Sequence, residues 1–454
     1  MYTFIIIKMR AAIITTPYIS KQLKATLLKK NVPVHFGNRM LTSNEKNHKY
    51  QLIYDNKIKF SSDSMNVQAI ICNSEEGFND LPPNFKSYLN VFKNKFAFRQ
   101  TLRSRYPNFK FKKLDTVTTY ELEQAFNEIG PFVIKPVVGY HSYGVYIVRN
   151  VSDIEGVYQK IRSIISSGIY KDHIINSFMI EELIDGTEYA IDLWYDHIDR
   201  NVNIVNVMKH EFAGTTDVSD TIYSTSIDIV RTVKPYFTQI EADIKDIVSK
   251  VKESCVDLVS DKILDLHNNL ESTFNFHAKH PEYIEGVPYN FKSQIQDNML
   301  CDITLEHLTK VRELYNISFP IHLEVKINND GSLIPIEANG MRYAGMGAGE
   351  IGTYAFDICP YSNFFDKEIV DWNEISMREN DDIYSFFVLQ RDTSREIESI
   401  DTNLYLSKFK CIIDNRIVAS NEHPMVYITI FKSKCKDEIQ SLLHMDTNEI
   451  IKYK

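Results

Sequence analysis

The sequence predicts a mixed fold, α/β in its first part and α+β in the rest, divided into two or three domains. The chain has 454 residues, which is more than one typical hydrophobic core accommodates. Strand-like and helix-like segments alternate over residues 1–90, and this alternation is typical of a parallel sheet. Further along, short apolar runs separated by turn signals indicate antiparallel hairpins.

Composition narrows the function classes. The chain carries 60 acidic and 51 basic residues, for a net charge of −9, which argues against nucleic acid as its main partner. Its six cysteines form no CxxC pair, so neither a zinc site nor a disulfide framework is predicted. The apolar start Phe4–Ile7 is broken by Lys8 and Arg10 and is too short to span a membrane. We therefore expect a cytoplasmic enzyme.

Residues 1–90 predict a small α/β unit. Its predicted elements are strands at Ala11–Ile14, Val32–Phe36 and Val67–Cys72 and a helix at Lys21–Lys30. Parallel sheets bind ligands at the carboxyl ends of their strands, but no GxGxxG motif follows the first strand, so a dinucleotide site is not predicted. Asn73–Gly77 could line a substrate pocket, although an ordinary loop is the preferred interpretation.

A phosphate-binding segment is predicted around Lys135. Phe132–Pro136 is typical of a buried strand, and a lysine inside such a strand requires an anionic partner. The loop from Gly139 to Gly144 follows, and its two glycines and Ser142 would let backbone amides approach phosphate oxygens. This combination predicts a polyphosphate clamp.

A hinge between two β units is predicted at Phe178–Asp192. One strand runs into Glu181, Glu182 and Leu183, a turn follows at Asp185–Gly186, and Glu188 enters the next strand. The Leu183 backbone could pair with the edge of a base, and Glu188 could accept a hydrogen bond from a ribose hydroxyl.

A metal site is predicted on the hairpin within His322–Gly347. The turn signal Asn328–Gly331 separates two apolar runs, and alternation along the two strands would place Glu324, Glu337 and Asn339 on one face. Three oxygen ligands suit Mg²⁺, although carboxylates on such hairpins often simply face solvent. Both carboxylates lie in apolar runs, where an unpaired charge is costly, and this favours the metal site.

A basic amphipathic helix with a solvated face is predicted at Phe92–Arg105, and it carries Lys95. This helix and the three segments above, taken together from about Lys93 to Ala348, resemble the ATP-grasp superfamily, whose motifs appear here in the family's order. The form NGMRYAG at residues 339–345 is similar to a segment of carboxylate–amine ligases, such as those like D-alanine–D-alanine ligase and the amino-acid ligases. Many members have an arginine at the position of His322.

The resemblance implies a role for each matching residue. Lys95 and Lys135 would hold the nucleotide phosphates, and the loop residues His141, Ser142 and Gly144 would cover them. The adenine would contact Glu181, Glu182 and Leu183, and the ribose would contact Glu188. Mg²⁺ (or Mn²⁺) would bind Glu324, Glu337 and Asn339; the catalytic residues would be Arg342, Lys135 and Lys209.

The fold implied by the resemblance has four parts. They are a Rossmann-like pre-ATP-grasp domain (1–90), ATP-grasp subdomain A (91–182), subdomain B (183–375) with a helical insertion (236–316), and a β-rich C-terminal extension (376–454). The two α+β subdomains would clasp ATP. The insertion would cap the substrate site or build a homodimer interface, and the extension would only complete the fold.

The implied function is an ADP-forming ligase that activates a small-molecule carboxylate as an acyl phosphate and joins it to an amine. An ATP-grasp phosphotransferase, a bicarbonate-using carboxylase and a non-catalytic ATP-binding regulatory protein are the alternatives. No nucleic acid or membrane partner is expected, and the carboxylate and the amine cannot be identified from sequence patterns alone.

Overall fold

The structure is a computed structural model. It describes residues 12–15, 21–30, 34–36, 69–72, 90–139, 142–167, 177–214, 217–219, 221–250, 317–392, 394–417 and 425–454. The predictions for Asn73–Gly77, for His141 and for most of the insertion at 236–316 lie outside these residues. Within the described residues, no helix combines the length and the apolar character that crossing a membrane requires.

The described elements are numbered in chain order. The strands are β1 Ala12–Thr15, β2 Val34–Phe36, β3 Ala69–Cys72, β4 Phe111–Leu114, β5 Phe132–Pro136, β6 Tyr146–Val148, β7 Phe178–Glu182, β8 Gly186–Tyr195, β9 Val202–Glu211, β10 Ile222–Thr225, β11 Phe319–Asn328, β12 Leu333–Gly340, β13 Ile383–Gln390, β14 Ile397–Ile400, β15 Ile412–Ile417, β16 Met425–Ser433 and β17 Ile451–Tyr453. The α-helices are α1 Lys21–Lys30, α2 Asn90–Lys93, α3 Lys95–Thr101, α4 Thr119–Ile129, α5 Ile154–Ser167, α6 Ile227–Val233, α7 237–250, α8 Ile351–Phe356, α9 Pro360–Asp366, α10 Trp372–Met377, α11 Thr402–Ser407, α12 Lys436–Leu443 and α13 Thr447–Ile450.

The N-terminal strands form a parallel sheet in the order β2-β1-β3. This agrees with the alternation of strands and helices in the sequence, and α1 spans the predicted residues. The backbone N–H of Cys72, the last residue of β3, donates to the carbonyl of Met341 at 2.6 Å. The sheet is thereby attached next to the end of β12.

A four-stranded antiparallel sheet follows, in the order β4-β7-β5-β6. Helices α4 and α5 cover one face, where Leu122 and Ile161 pack with Phe132, Ile134 and Ile180. α4 begins where the Thr118 side chain accepts from the N–H of Glu121, and it ends at Gly130, whose φ of 90° a side chain would strain.

The largest described sheet has eight strands in the order β12-β11-β8-β9-β10-β13-β16-β15. Runs of consecutive residues are buried in β8, β9 and β11. Because consecutive side chains of a strand point to opposite faces, these strands are buried on both faces. One face packs in the main hydrophobic core, with Ile191, Val207 and Leu323. The opposite face carries the site.

The C-terminal strands extend this same sheet. β10 pairs antiparallel with β13, and β13 pairs with β16. The hydroxyls of Ser224 and Ser385 lie 2.9 Å apart across the first of these pairings. The predicted extension therefore contributes strands to the sheet that carries the site, while the predicted domain boundaries themselves remain predictions.

Candidate active site

A cavity of about 550 Å³ lies between the four-stranded sheet and the eight-stranded sheet. Residues from distant parts of the chain border it, and most of the predicted site residues are among them: Lys95, Lys135, Ser142, Glu181, Glu182, Leu183, Glu188, Glu324, Glu337, Asn339 and Arg342. The fold brings these residues together from β5, β7, β8, β11, β12 and α3 and from the segments that follow β5, β7 and β12.

Lys135 lies at the cavity wall with Glu181 as its anionic partner. The Lys135 Nζ is 2.6 Å from Glu181 Oε1, and Arg99 Nε is 2.6 Å from Glu181 Oε2. Burial lowers the pKa of Lys135. Burial also acts to raise the pKa of Glu181, but the charges of Arg99 and Lys135 outweigh it and lower the pKa to about 2.

Lys95 connects the phosphate-binding segment to the predicted metal site. The side chain of Asn94 accepts from the N–H of Ala97, which caps α3 and places Lys95 in its first turn. The Lys95 Nζ then donates to the carbonyl of Gly139 at 2.8 Å and to Glu337 Oε1 at 3.1 Å. Burial opposes ionisation of Glu337, but the charges of Lys95 and Lys135 lower its pKa.

The predicted hairpin is present, with its carboxylates directly opposite each other. Glu324 of β11 pairs with Glu337 of β12, and His322 pairs with Asn339. A bulge follows Glu324, so Ile336 is an extra residue on β12, and it also borders the cavity. The turn contains Gly331 with a φ of 84°, which glycine adopts without strain.

His322 lies between two carboxylates of this site, and its hydrogen bonds favour its protonated form. Its Nδ1 is 2.8 Å from Asp192 Oδ1 and its Nε2 is 3.5 Å from Glu324 Oε1. Burial acts to lower the pKa of His322, but the hydrogen bonds to Asp192 and Glu324 raise it to about 9. Burial raises the pKa of Glu324, and the nearby charge of Glu337 adds to this effect.

The donor set fits Mg²⁺ that is bound together with a phosphate. Among the described residues, no cluster of three or more histidine, cysteine, aspartate or glutamate side chains could hold a metal by itself. Two opposed carboxylates, Glu324 and Glu337, and the amide oxygen of Asn339 remain. Mg²⁺ usually takes one or two carboxylates and completes its shell with substrate phosphates and water.

The cavity floor continues along a row of paired residues on neighbouring strands. Lys326 pairs with Glu188, whose Oε1 is 3.0 Å from His210 Nδ1. His210 pairs with Tyr223, and their rings stack with centroids 4.4 Å apart. Burial opposes ionisation of Glu188, but the hydrogen bond from His210 and the charge of Lys326 lower its pKa.

Lys209 does not border the cavity, so the structure gives no geometric support to its predicted catalytic role, which stays a prediction. Its Nζ is 2.5 Å from Glu211 Oε2, and neither residue borders the cavity. Because neighbouring residues on a strand face opposite sides, it is His210 that faces the cavity.

The glycine-bracketed loop is only partly brought to the cavity. Gly139 and Ser142 border it, and Ser142 has a left-handed φ of 52°. Gly144 does not border it. Instead, Gly144 has a φ of 77° and packs on Pro136, whose Cγ would lie 3.0 Å from an added Cβ. Its role is therefore to turn the chain.

The cavity has apolar walls beside the hinge, and we call this part the apolar slot. The slot is bordered by Val133, Ile147, Leu183, Ile184 and Ile336. The N–H of Leu183 already donates to the carbonyl of Pro131 at 3.0 Å, so the backbone groups that can meet a base edge lie at the Leu183 carbonyl and at Ile184. The carboxylate of Glu181 is held by Lys135 and Arg99, which leaves it poorly placed for an adenine.

Arg342 lies just beyond the carboxylates. Met341 has a left-handed φ of 63° and is fully buried, and this conformation turns the chain at the end of β12. Arg342 then borders the cavity with 9% of its surface exposed. A guanidinium here can stabilise negative charge on a reacting oxygen.

Three buried residues of this site were not predicted from sequence: Arg99, Asp192 and His210. Arg99 was part of a basic helix that was expected to face solvent, yet it is 3% exposed. Asp192 is fully buried and accepts from the N–H of Ala344 at 2.8 Å. A charged residue in an otherwise apolar strand is the signal that could have identified Asp192.

Comparisons with known proteins show which family model and which solved structures the chain is similar to. The family model described as an ATP-grasp domain matches residues 129–255 and 268–350. No curated protein sequence matches the chain significantly. Among solved structures, an L-amino acid ligase from Bacillus licheniformis is 14% identical, with a TM-score of 0.54 and 98% of each chain covered.

Two further structures have the same overall fold. A carboxyaminoimidazole ribonucleotide synthase from Aspergillus clavatus, solved with ATP, is 11% identical with a TM-score of 0.51, and covers 96% of this chain and 98% of its own. An N5-carboxyaminoimidazole ribonucleotide synthetase from Thermotoga maritima is 11% identical with a TM-score of 0.52, and covers 98% of this chain and 99% of its own. The chain therefore matches an ATP-grasp domain model over residues 129–255 and 268–350 and shares its overall fold with these three structures.

Proposed function

We propose that the chain is an ATP-dependent ligase that activates a substrate carboxylate as an acyl phosphate and joins it to an amine. The observation that supports this most is the convergence of Lys95, Lys135, Arg342 and the opposed Glu324 and Glu337 on one cavity. Cations for the phosphates, ligands for a metal and a cation beyond them are the groups that phosphoryl transfer to a carboxylate requires.

Each residue has a distinct task in this proposal. Lys95 and Lys135 neutralise phosphate charge, and Arg342 stabilises the oxyanion that develops when the amine attacks the acyl carbon. Glu324, Glu337 and Asn339 would hold Mg²⁺ (or Mn²⁺), which supplies charge neutralisation at the phosphates when bound. The apolar slot at Leu183 and Ile184 would receive the adenine.

Both lysines form ion pairs with carboxylates of the protein. Lys95 is paired with Glu337, and Lys135 with Glu181, so both positive charges are compensated inside the protein. A phosphate that approaches Lys95 competes with Glu337, and a cation at Glu337 would release Lys95 toward that phosphate. We therefore expect metal and nucleotide to bind with positive coupling.

A carboxylase or a phosphotransferase on the same scaffold is the second candidate, and a regulatory ATP-binding protein is the third. Both enzymes would use the same phosphate-binding residues but differ in the acceptor. The full set of cations and carboxylates in the cavity favours turnover over regulation. A cytoplasmic location, small-molecule substrates and a homodimer remain parts of the proposal.

Release of ADP and phosphate from Mg·ATP tests the reaction class. The purified chain is assayed alone, with bicarbonate, and with pooled amino acids and dipeptides. Stimulation by an amino-acid or dipeptide pool, together with a new amide product, supports the ligase. Stimulation by bicarbonate alone indicates the carboxylase, and tight ATP binding without release in any mixture favours the regulatory protein.

Glu337→Ala tests the metal assignment within that assay. We expect turnover to fall by two orders of magnitude or more, because the variant loses a ligand and the partner of Lys95. Asp330→Asn is the matched control, since Asp330 lies on the same hairpin but only bonds to Ser332 in the exposed turn. Full activity of Glu337→Ala would refute the assignment.

A further inference from the structure

The cavity has a second apolar region, separate from the apolar slot beside the hinge. It is bordered by side chains of β10, β13 and β16 and of the 3₁₀ turn Gly345–Glu350; we call these residues the apolar lobe, namely Tyr223, Met346, Phe386, Val388 and Met425. None of these five side chains carries a charge. Phe386, Val388 and Met425 are 2–6% exposed and pack in one apolar cluster with Tyr223 and Met346, so each presents a small apolar part of its side chain to the cavity.

The lobe is the continuation of the charged floor along the sheet. The row of paired residues runs from Lys326 and Glu188 to His210, then to Tyr223, which pairs with Phe386. Four strand spacings separate β11, which carries Glu324, from β13, which carries Phe386. This corresponds to about 19 Å along the sheet.

The nucleotide does not account for the lobe. Its apolar part, the adenine, is expected in the slot at Leu183 and Ile184, where the four-stranded sheet meets β12. Its phosphates require the cations near Glu337. The lobe lies at β10, β13 and β16, on the other side of the carboxylates in the strand order.

We propose that the apolar lobe binds a bulky apolar side chain of one of the two substrates that the ligase joins. This inference rests on the proposed function. An apolar wall with a few polar groups at one end is the usual form of a small-molecule site. Burying a leucine- or phenylalanine-sized group there removes apolar surface from water, whereas a polar side chain would lose its hydration without a compensating hydrogen bond.

The stack of Tyr223 on His210 marks where the lobe begins. Towards β8, the His210 ring bonds to Glu188 and belongs to the charged floor. Towards β13, Tyr223 presents its ring next to Phe386. A substrate that spans this boundary would keep its reacting group at the charged end and its side chain in the lobe.

The experiment compares substrates that differ only in their side chain. ADP release by the full chain is measured with Mg·ATP and alanine, valine, leucine, methionine or phenylalanine, each alone and with glycine as the second substrate. Asparagine is the polar match for leucine, and glutamine for methionine. We expect kcat/KM to rise about fourfold per added methylene and to be at least tenfold higher for leucine than for asparagine.

Variants then locate the effect. Val388→Phe fills the lobe and should lower kcat/KM for leucine at least tenfold while the KM for ATP changes less than twofold. Met425→Ala enlarges the lobe and should shift the preference to larger side chains. Met208→Ala is the matched control, since Met208 belongs to the same apolar cluster but does not border the cavity. This variant should leave the ranking of the amino acids by kcat/KM unchanged.

The outcomes separate this inference from the proposed function. Equal stimulation of ADP release by leucine and by asparagine would overturn the inference about the lobe but would still support the proposed ligase function. The inference would also be overturned if Met208→Ala changed the ranking of the amino acids by kcat/KM as much as Met425→Ala does. If no amino acid stimulates release, both the amino-acid ligase and the lobe's role are overturned.

Discussion

Glu181 makes a predictable electrostatic contribution to the stability of this site. It lies between the Lys135 ammonium and the Arg99 guanidinium at 2.6 Å from each, and all three side chains are at most 4% exposed. Glu181→Gln would leave two buried cations without a carboxylate. Breaking a buried ion pair in this way costs about 3–5 kcal/mol.

The pKa of Glu181 gives an independent magnitude. It falls from the ordinary value of 4.5 to about 2 in the folded protein, because the neighbouring cations outweigh burial. A shift of this size corresponds to about 3 kcal/mol of folding free energy at neutral pH. We therefore expect Glu181→Gln to lower the thermal midpoint by roughly 6–12 °C at pH 7.

The pH dependence has a definite sign. A carboxylate whose pKa is lowered by folding stabilises the protein above its unfolded pKa of 4.5, and the contribution is lost as the pH falls towards 2. Thermal unfolding of the wild type and of Glu181→Gln is followed from pH 7 to pH 3.5. The difference in unfolding free energy should narrow by about 1.4 kcal/mol at pH 3.5.

Glu182→Gln is the neighbouring control. Glu182 accepts from the backbone N–H of Lys110 at 3.2 Å at the protein surface, so its variant should change stability by no more than about 0.5 kcal/mol. A midpoint for Glu181→Gln within 2 °C of the wild type at pH 7 would refute the reasoning. The reasoning would also be refuted if the difference in unfolding free energy between the wild type and Glu181→Gln stayed constant down to pH 3.5.

Two further predictions follow from packing and from strand orientation. Gly340→Ala would place a Cβ 2.7 Å from the Phe92 ring and should destabilise the protein by about 1–3 kcal/mol. Gly156→Ala on α5 meets nothing within 4 Å and should stabilise the protein by about 0.4–1 kcal/mol. Chemical denaturation measures both free energies of unfolding, and equal values would contradict the packing argument. Lys209→Met should raise the KM for ATP less than His210→Phe does, and the reverse order in steady-state kinetics would support the predicted role of Lys209.

The hairpin at the metal site could be predicted from the sequence because its signals are local. A turn of Asn and Gly residues, two apolar runs and the alternation of side chains were enough to place Glu324 and Glu337 on one face of a hairpin. Their direct pairing, with a bulge after Glu324, is seen only in the structure. The parallel pairing of β1 with β2 was equally accessible, since it depends on alternation of strands and helices.

The orientation of β9 could not be predicted. This strand is buried on both faces, so its apolar residues show no alternation that would tell Lys209 from His210. Only the pairing with β8 and β10, which lie before and after it in the chain, decides that His210 faces the cavity.

The pairing of the cations with carboxylates was also beyond local patterns. Lys95 meets Glu337 across 242 residues of sequence, and Arg99 meets Glu181 across 82. A basic helix with regular spacing indicates a solvated face when no partner is known. The two acids that neutralise it here, Glu337 and Glu181, belong to two different sheets, and only the fold brings them within reach.

The place of β13 in the large sheet has a consequence for biosynthesis. Ser224 of β10 and its partner Ser385 of β13 are separated by 161 residues. At translation rates of about 5–20 residues per second, β10 leaves the ribosome roughly 8–32 seconds before its partner. During that interval the β10 edge is an unpaired template for other chains. Ribosome-bound chains truncated before β13 should therefore depend on chaperones more than the full-length protein does.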